Sequence, residues 1–174
     1  MKHIPNILTT FRLLLIPVFA YFVVFTYPNN NLWAAAIVFI IAGATDVADG
    51  FIARKCNAIS DFGKFYDPLV DKLFQISAVV CLYITRILPT WIILFIIFKE
   101  GSMIIIGMIF YFKKIVINSN WYGKAATVVF YLAILVMLVT QGMNDTLTLV
   151  LLCTVVASAI LSAFGYFFDV IVKK

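Results

Sequence analysis

Six apolar stretches, each about as long as a bilayer's hydrocarbon core is thick, leave this chain few folds to choose from. They run near Ile7–Tyr27, Leu32–Lys55, Ser60–Thr85, Pro89–Phe112, Trp121–Gln141 and Thr146–Ile171, and a helical crossing takes ~20 apolar residues. Of the 174 residues 64% are hydrophobic and only 12% charged, with mean hydropathy +1.09, which excludes an ordinary soluble domain. The expectation is an all-α integral membrane protein: one six-transmembrane-helix bundle over residues 1–174, with little chain left for a soluble appendage. Lys2 and Arg12 flank and interrupt the first stretch, and no small-residue cleavage pattern follows, so it reads as a retained span rather than a signal peptide. Pro28-Asn29-Asn30-Asn31, Pro89 and Gly142-Met143-Asn144-Asp145 punctuate the stretches as loops.

Basic residues orient the spans. An even number of crossings puts both termini on one side, and eleven of the 13 Lys and Arg fall there: Lys2, Arg12, Arg54, Lys55, Lys64, Lys72, Lys113, Lys114, Lys124, Lys173 and Lys174. The opposite side has Arg86 alone, and Lys99 lies within a span. That bias places the termini on the cytoplasmic side of a cell membrane, and the net charge of +5 sits where anionic headgroups or phosphorylated substrates are met. No nucleic-acid partner is expected, since no basic stripe with interleaved aromatics accompanies the charge. Cys56, Cys81 and Cys153 are odd in number and widely spaced, so they read as apolar fillers.

Against this background four acids stand out: Asp46, Asp49, Asp67 and Asp71. An ionisable side chain at bilayer depth costs several kcal/mol unless paired, hydrated or metal-bound. Spacings of three and four put each pair on one face of its own helix, so two helices can offer two carboxylates each to one pocket. Oxygen ligands without neighbouring His or Cys favour Mg²⁺ or Mn²⁺. Two such ions about 3.5–4 Å apart would neutralise the quartet, clamp a phosphate and activate an attacking hydroxyl. Two alternatives stay open on these residues: a buried Asp–Arg/Lys network using Arg54, Lys64 and Lys72, and an acidic path for a transported cation.

The first three spans share a further trait. Uninterrupted apolar sequence covers only Leu13–Phe25, Leu32–Thr45 and Leu73–Thr85, short of the ~20 residues hydrocarbon demands. Their polar ends imply a cavity open to the cytoplasm, about 12 Å deep from the rise between Asp46 and Arg54. A lipid headgroup and a water-soluble molecule could meet there. Gly50, Ala53 and Gly63 offer either close ligand approach or close helix packing, and Arg54 either a bidentate phosphate contact or a topology signal.

The segment Asp46-x2-Asp49-Gly50-x2-Ala53-Arg54-x8-Gly63-x3-Asp67-x3-Asp71 resembles the signature of the CDP-alcohol phosphatidyltransferases, with every fixed residue and both gaps in place. The resemblance implies a six-helix membrane bundle, usually a homodimer, that moves a phosphatidyl or related group from a CDP-linked donor to an acceptor hydroxyl and releases CMP. It makes Asp46, Asp49, Asp67 and Asp71 ligands of two divalent cations, and Asp71 the general base as well. It places Asp46, Gly50, Ala53, Arg54 and Gly63 around the CDP moiety of a CDP-diacylglycerol donor.

The opening Ile4-Pro5-Asn6-Ile7-Leu8-Thr9-Thr10-Phe11-Arg12, with Pro17 after it, and the segment Gly123-Lys124-x2-Thr127 resemble the bacterial phosphatidylglycerophosphate synthases of that family. The resemblance implies glycerol 3-phosphate as the acceptor and adds Asn6, Arg12 and Lys124 as acceptor-site candidates. One departure stands against it: Gly107 lies in the region where those synthases show a basic residue following the pair aligned with Lys99-Glu100. Cardiolipin synthases, with phosphatidylglycerol as a lipid acceptor, are the runner-up, and phosphatidylinositol-type synthases come third. Lys99-Glu100 itself, a charged pair in mid-span, reads as a structural ion pair with a neighbouring helix.

Overall fold

In the computed structural model the described residues are 4–26, 32–56, 61–112, 121–142 and 145–172, with side chains described for 7–25, 32–48, 66–105, 108, 121, 123–142 and 145–162. Every regular element among them is an α-helix: α1 (Ile4–Thr26), α2 (Trp33–Cys56), α3 (Asp61–Ile84), α4 (Thr90–Phe112), α5 (Trp121–Val139) and α6 (Asp145–Val172). Six helices were expected, and each end falls within three residues of its expected place.

The chain divides into two compact units, Met1–Ile115 and Val116–Lys174. In the first, α1 packs against both α2 and α3, and α3 also packs against α4. Three buried rings join the first three helices: Phe19 of α1, Phe39 of α2 and Phe74 of α3, with centroids 5.6 to 5.8 Å apart in tilted contact. Pro17 in α1 and Pro68 in α3 each remove a backbone donor inside their helix. Pro68 directly follows Asp67, so α3 lacks one backbone donor beside an acid of the signature. In the second unit α5 and α6 pack on each other.

Although Leu15, Phe19 and Val23 are buried, the remainder of α1 shows burial that a helix in water would not. Ile7, Phe11, Leu14, Val18, Tyr21 and Phe25 form an exposed stripe, whereas Thr9 and Arg12 are buried. Water would invert that arrangement; hydrocarbon suits it. Among the described residues two helices hold a segment long and apolar enough to cross a membrane, Ile7–Phe25 and Asp145–Ser162, and Trp33–Ala48 and Gly123–Val139 are apolar but shorter.

Helix α3 ends at a left-handed residue. Arg86 has φ 60°, its N–H donates to the Tyr83 carbonyl at 2.9 Å, and the Ile87 N–H donates to the Leu82 carbonyl at 3.0 Å. This is the Schellman arrangement, which glycine occupies without strain and a Cβ opposes. Arg86→Gly is therefore expected to raise stability by about 1 kcal/mol, read as a higher unfolding temperature of the detergent-solubilised protein.

Candidate active site

The polar end of α2 and the start of α3 carry the signature, and α1 supplies what holds the two together. Arg12 is wholly buried. Its Nη1 lies 2.9 Å from Asp46 Oδ1 on α2 and 3.4 Å from Asp67 Oδ1 on α3. Thr9, one turn earlier on α1, donates its hydroxyl to the same Asp67 oxygen at 3.2 Å. One nitrogen thus meets carboxylates from two helices, and the side chains of Asp46 and Asp67 remain 35% and 38% exposed. Both carboxylates lie within reach of one guanidinium nitrogen, and like charges gathered in this way favour a bound cation. Arg12 offsets only one of their charges. Its Nε and Nη2 have no hydrogen-bond partner among the described residues, leaving buried donors at the edge of the acidic cluster.

Asp71 stands one turn beyond Asp67 on α3. Its Oδ2 accepts a 2.8 Å hydrogen bond from Gln75 Nε2, and Gln75 is buried. Gln75 Oε1 in turn accepts from Lys72 Nζ at 3.3 Å. Lys72 Nζ lies 2.8 Å from Glu100 Oε2 on α4, and Glu100 Oε1 accepts from Lys99. Lys99-Glu100 is therefore an ion pair joined to a neighbouring helix, as its mid-span position implied.

The donor set fits hard divalent cations: carboxylates from two helices meet at a single guanidinium nitrogen, with oxygen as the offered atom. Asp46, Asp67 and Asp71 would hold such ions, with Asp49 as the fourth acid by helical spacing. Among the described residues, which leave out the Asp49 side chain, no three His, Cys, Asp or Glu side chains are gathered at metal-binding distance. Asp49, Gly50, Ala53 and Arg54 lie in α2, Gly63 and Lys64 in α3, and Asn6 in α1, with their side chains outside the described residues.

Arg12, read as an acceptor-site candidate, makes its described contacts with Asp46 and Asp67. Lys72, named in the alternative Asp–Arg/Lys network, is paired to Glu100. Lys124 is exposed in the first turn of α5, in the other unit, and Thr127 spends its hydroxyl on the Gly123 carbonyl at 3.1 Å. Cys81 is a buried free thiol as expected of a filler, whereas Cys153 is exposed. Thr9 and Gln75 escaped the sequence reading. The available signal was their spacing, three residues before Arg12 and four after Asp71, on the faces those charges define.

The sequence also matches known proteins. The family profile described as CDP-alcohol phosphatidyltransferase matches residues 2–170. A CDP-diacylglycerol–glycerol-3-phosphate 3-phosphatidyltransferase of Bacillus subtilis is 34% identical, over 73% of this chain and 72% of the relative. A cardiolipin synthase (CMP-forming) of Streptomyces coelicolor is 33% identical over 80% of this chain and 66% of the relative. A CDP-diacylglycerol–glycerol-3-phosphate 3-phosphatidyltransferase of Rickettsia typhi is 45% identical over a shorter match, 42% of this chain and 40% of the relative.

Proposed function

The chain belongs to the CDP-alcohol phosphatidyltransferase family, and from that premise we propose that it makes phospholipid by moving the phosphatidyl group of CDP-diacylglycerol to a hydroxyl of glycerol 3-phosphate, releasing CMP. The observation that carries the site is the convergence of Asp46 and Asp67 on Arg12 Nη1, which draws the acids of two helices into one place. The acceptor is supported by the Bacillus and Rickettsia relatives, whose names specify glycerol 3-phosphate.

In this reading Asp46, Asp49, Asp67 and Asp71 hold two divalent cations, Mg²⁺ or Mn²⁺, which when bound would offset the charge of the acids and the diphosphate. Asp71 takes the proton from the acceptor hydroxyl, and Gln75 holds that carboxylate by one oxygen. The acceptor oxygen forms its bond to the lipid-side phosphorus as the bond from that phosphorus to the bridging oxygen breaks, and CMP leaves with the electron pair. Gly50, Ala53, Arg54 and Gly63 are assigned to the nucleotide by the family signature, and Asn6 to the acceptor. The protein sits in the membrane as a six-span, single-domain homodimer with its site facing the cytoplasm, a placement supported by the basic-residue bias and the exposed apolar stripe of α1.

CMP release from CDP-diacylglycerol in detergent, with Mg²⁺ or Mn²⁺ and a panel of acceptors, tests the proposal. Release that depends on glycerol 3-phosphate is expected; phosphatidylglycerol, inositol phosphate and serine are expected to give little. The Streptomyces relative and Gly107 favour a second reading, and release driven by phosphatidylglycerol would make the protein a cardiolipin synthase instead. Metal flux across reconstituted vesicles without CMP would replace both readings with transport.

A further inference from the structure

The structure assigns Glu100 of α4 as a positioning residue that acts through Lys72 and Gln75 to set the carboxylate of Asp71. The inference rests on the proposed role of Asp71. Two hydrogen bonds and an ion pair join them: Asp71 Oδ2 accepts from Gln75 Nε2 at 2.8 Å, Gln75 Oε1 accepts from Lys72 Nζ at 3.3 Å, and Lys72 Nζ lies 2.8 Å from Glu100 Oε2, an oxygen outside hydrogen-bonding geometry. Gln75 and Glu100 are each 1% exposed, so water does not readily substitute for any link.

The chemistry of each link is directional. A glutamine amide has a donor end and an acceptor end, and an ammonium only donates. Lys72 therefore holds Oε1 toward itself and leaves Nε2 for Asp71. Glu100 in turn holds Lys72. Next to Asp71 in sequence and within reach of the side chain hydrogen-bonded to it, this ammonium has two carboxylates to choose from, and a point charge on a flexible stem goes to the stronger. With Lys99 also bound, Glu100 keeps a mobile cation on α4's side and off the acid that the reaction uses. A charged pair in the middle of a span, otherwise costly, then has a purpose.

The experiment compares Glu100→Gln, Lys72→Met, the double variant and Asp71→Asn in purified full-length protein, reading kcat, the KM for CDP-diacylglycerol, and Mn²⁺ binding by electron paramagnetic resonance without substrate. Glu100→Gln frees Lys72 to pair with Asp71, and is expected to lower kcat and weaken Mn²⁺ binding by about 10- to 100-fold with KM little changed. Adding Lys72→Met removes the competing ammonium but also the donor that orients Gln75, and is expected to restore part of both, Gln75 Nε2 still being able to reach Asp71. A purely structural ion pair predicts the reverse, since the double variant then loses a second partner. A double variant no better than Glu100→Gln overturns the assignment. If Glu100→Gln does not fold, Gln75→Met, which keeps the volume and removes both amide ends, must alone lower kcat and Mn²⁺ binding; unchanged values overturn it too. Should Asp71→Asn keep full turnover, the failure lies in the role given to Asp71. Loss in Asp71→Asn without rescue in the double variant isolates the failure to Glu100.

Discussion

Asp71→Asn is expected to lower CMP release by about 10³- to 10⁴-fold while the protein keeps its unfolding temperature. Asparagine has nearly the shape of aspartate, and its oxygen can still accept the Gln75 hydrogen bond, so packing around α3 is preserved. What is lost is the negative charge and the ability to take a proton at neutral pH. The parallel readouts are CMP release under saturating metal and thermal unfolding in detergent. Turnover within tenfold of the parent protein would remove Asp71 from the chemistry, and a collapse in unfolding temperature would show that its part is structural.

Arg12→Met has the second large effect. Methionine fills much of the same volume and withdraws a cation that Asp46 of α2 and Asp67 of α3 share. Removing a partner from a fully buried ion pair costs about 3–5 kcal/mol. Asp46 and Asp67 are each more than a third exposed, so solvent screening reduces the expected loss to about 1–3 kcal/mol. That loss should be recovered on adding Mg²⁺, because a ligand at 100 times its Kd stabilises by about 2.7 kcal/mol. Turnover should still fall about 100-fold, since outer ligands that orient a metal site commonly contribute that much. Arg12→Lys should recover stability better than activity, its single ammonium lacking the planar fork. Unfolding curves with and without Mg²⁺, beside CMP release, decide the matter. A variant with unchanged stability and turnover would show that the Arg12 contacts hold nothing of consequence.

Much of the fold was legible because apolar length and punctuation are local properties. Pro28, Pro89 and Gly142 mark the breaks, and six helices follow at nearly the expected bounds. The acids were legible for a related reason. Asp46 and Asp49, like Asp67 and Asp71, repeat at helical spacing inside apolar surroundings, so their cost advertises a task. Their partner was not. Arg12 lies 34 residues before Asp46, as the numbering shows, and no periodicity links positions so far apart. Lys72 was left open between the acids of an alternative network, and α4 supplies the carboxylate it meets.

The residues by themselves determined that this chain forms apolar helices and gathers acids at helical intervals, since both follow from side-chain transfer costs and from backbone geometry within one or two turns. Only the tertiary structure decided which donor serves which acid. Arg12 goes to Asp46 and Asp67, Lys72 to Glu100, and Gln75 to Asp71. Coulomb attraction depends on distance in space, and the packing of α1, α3 and α4 sets those distances.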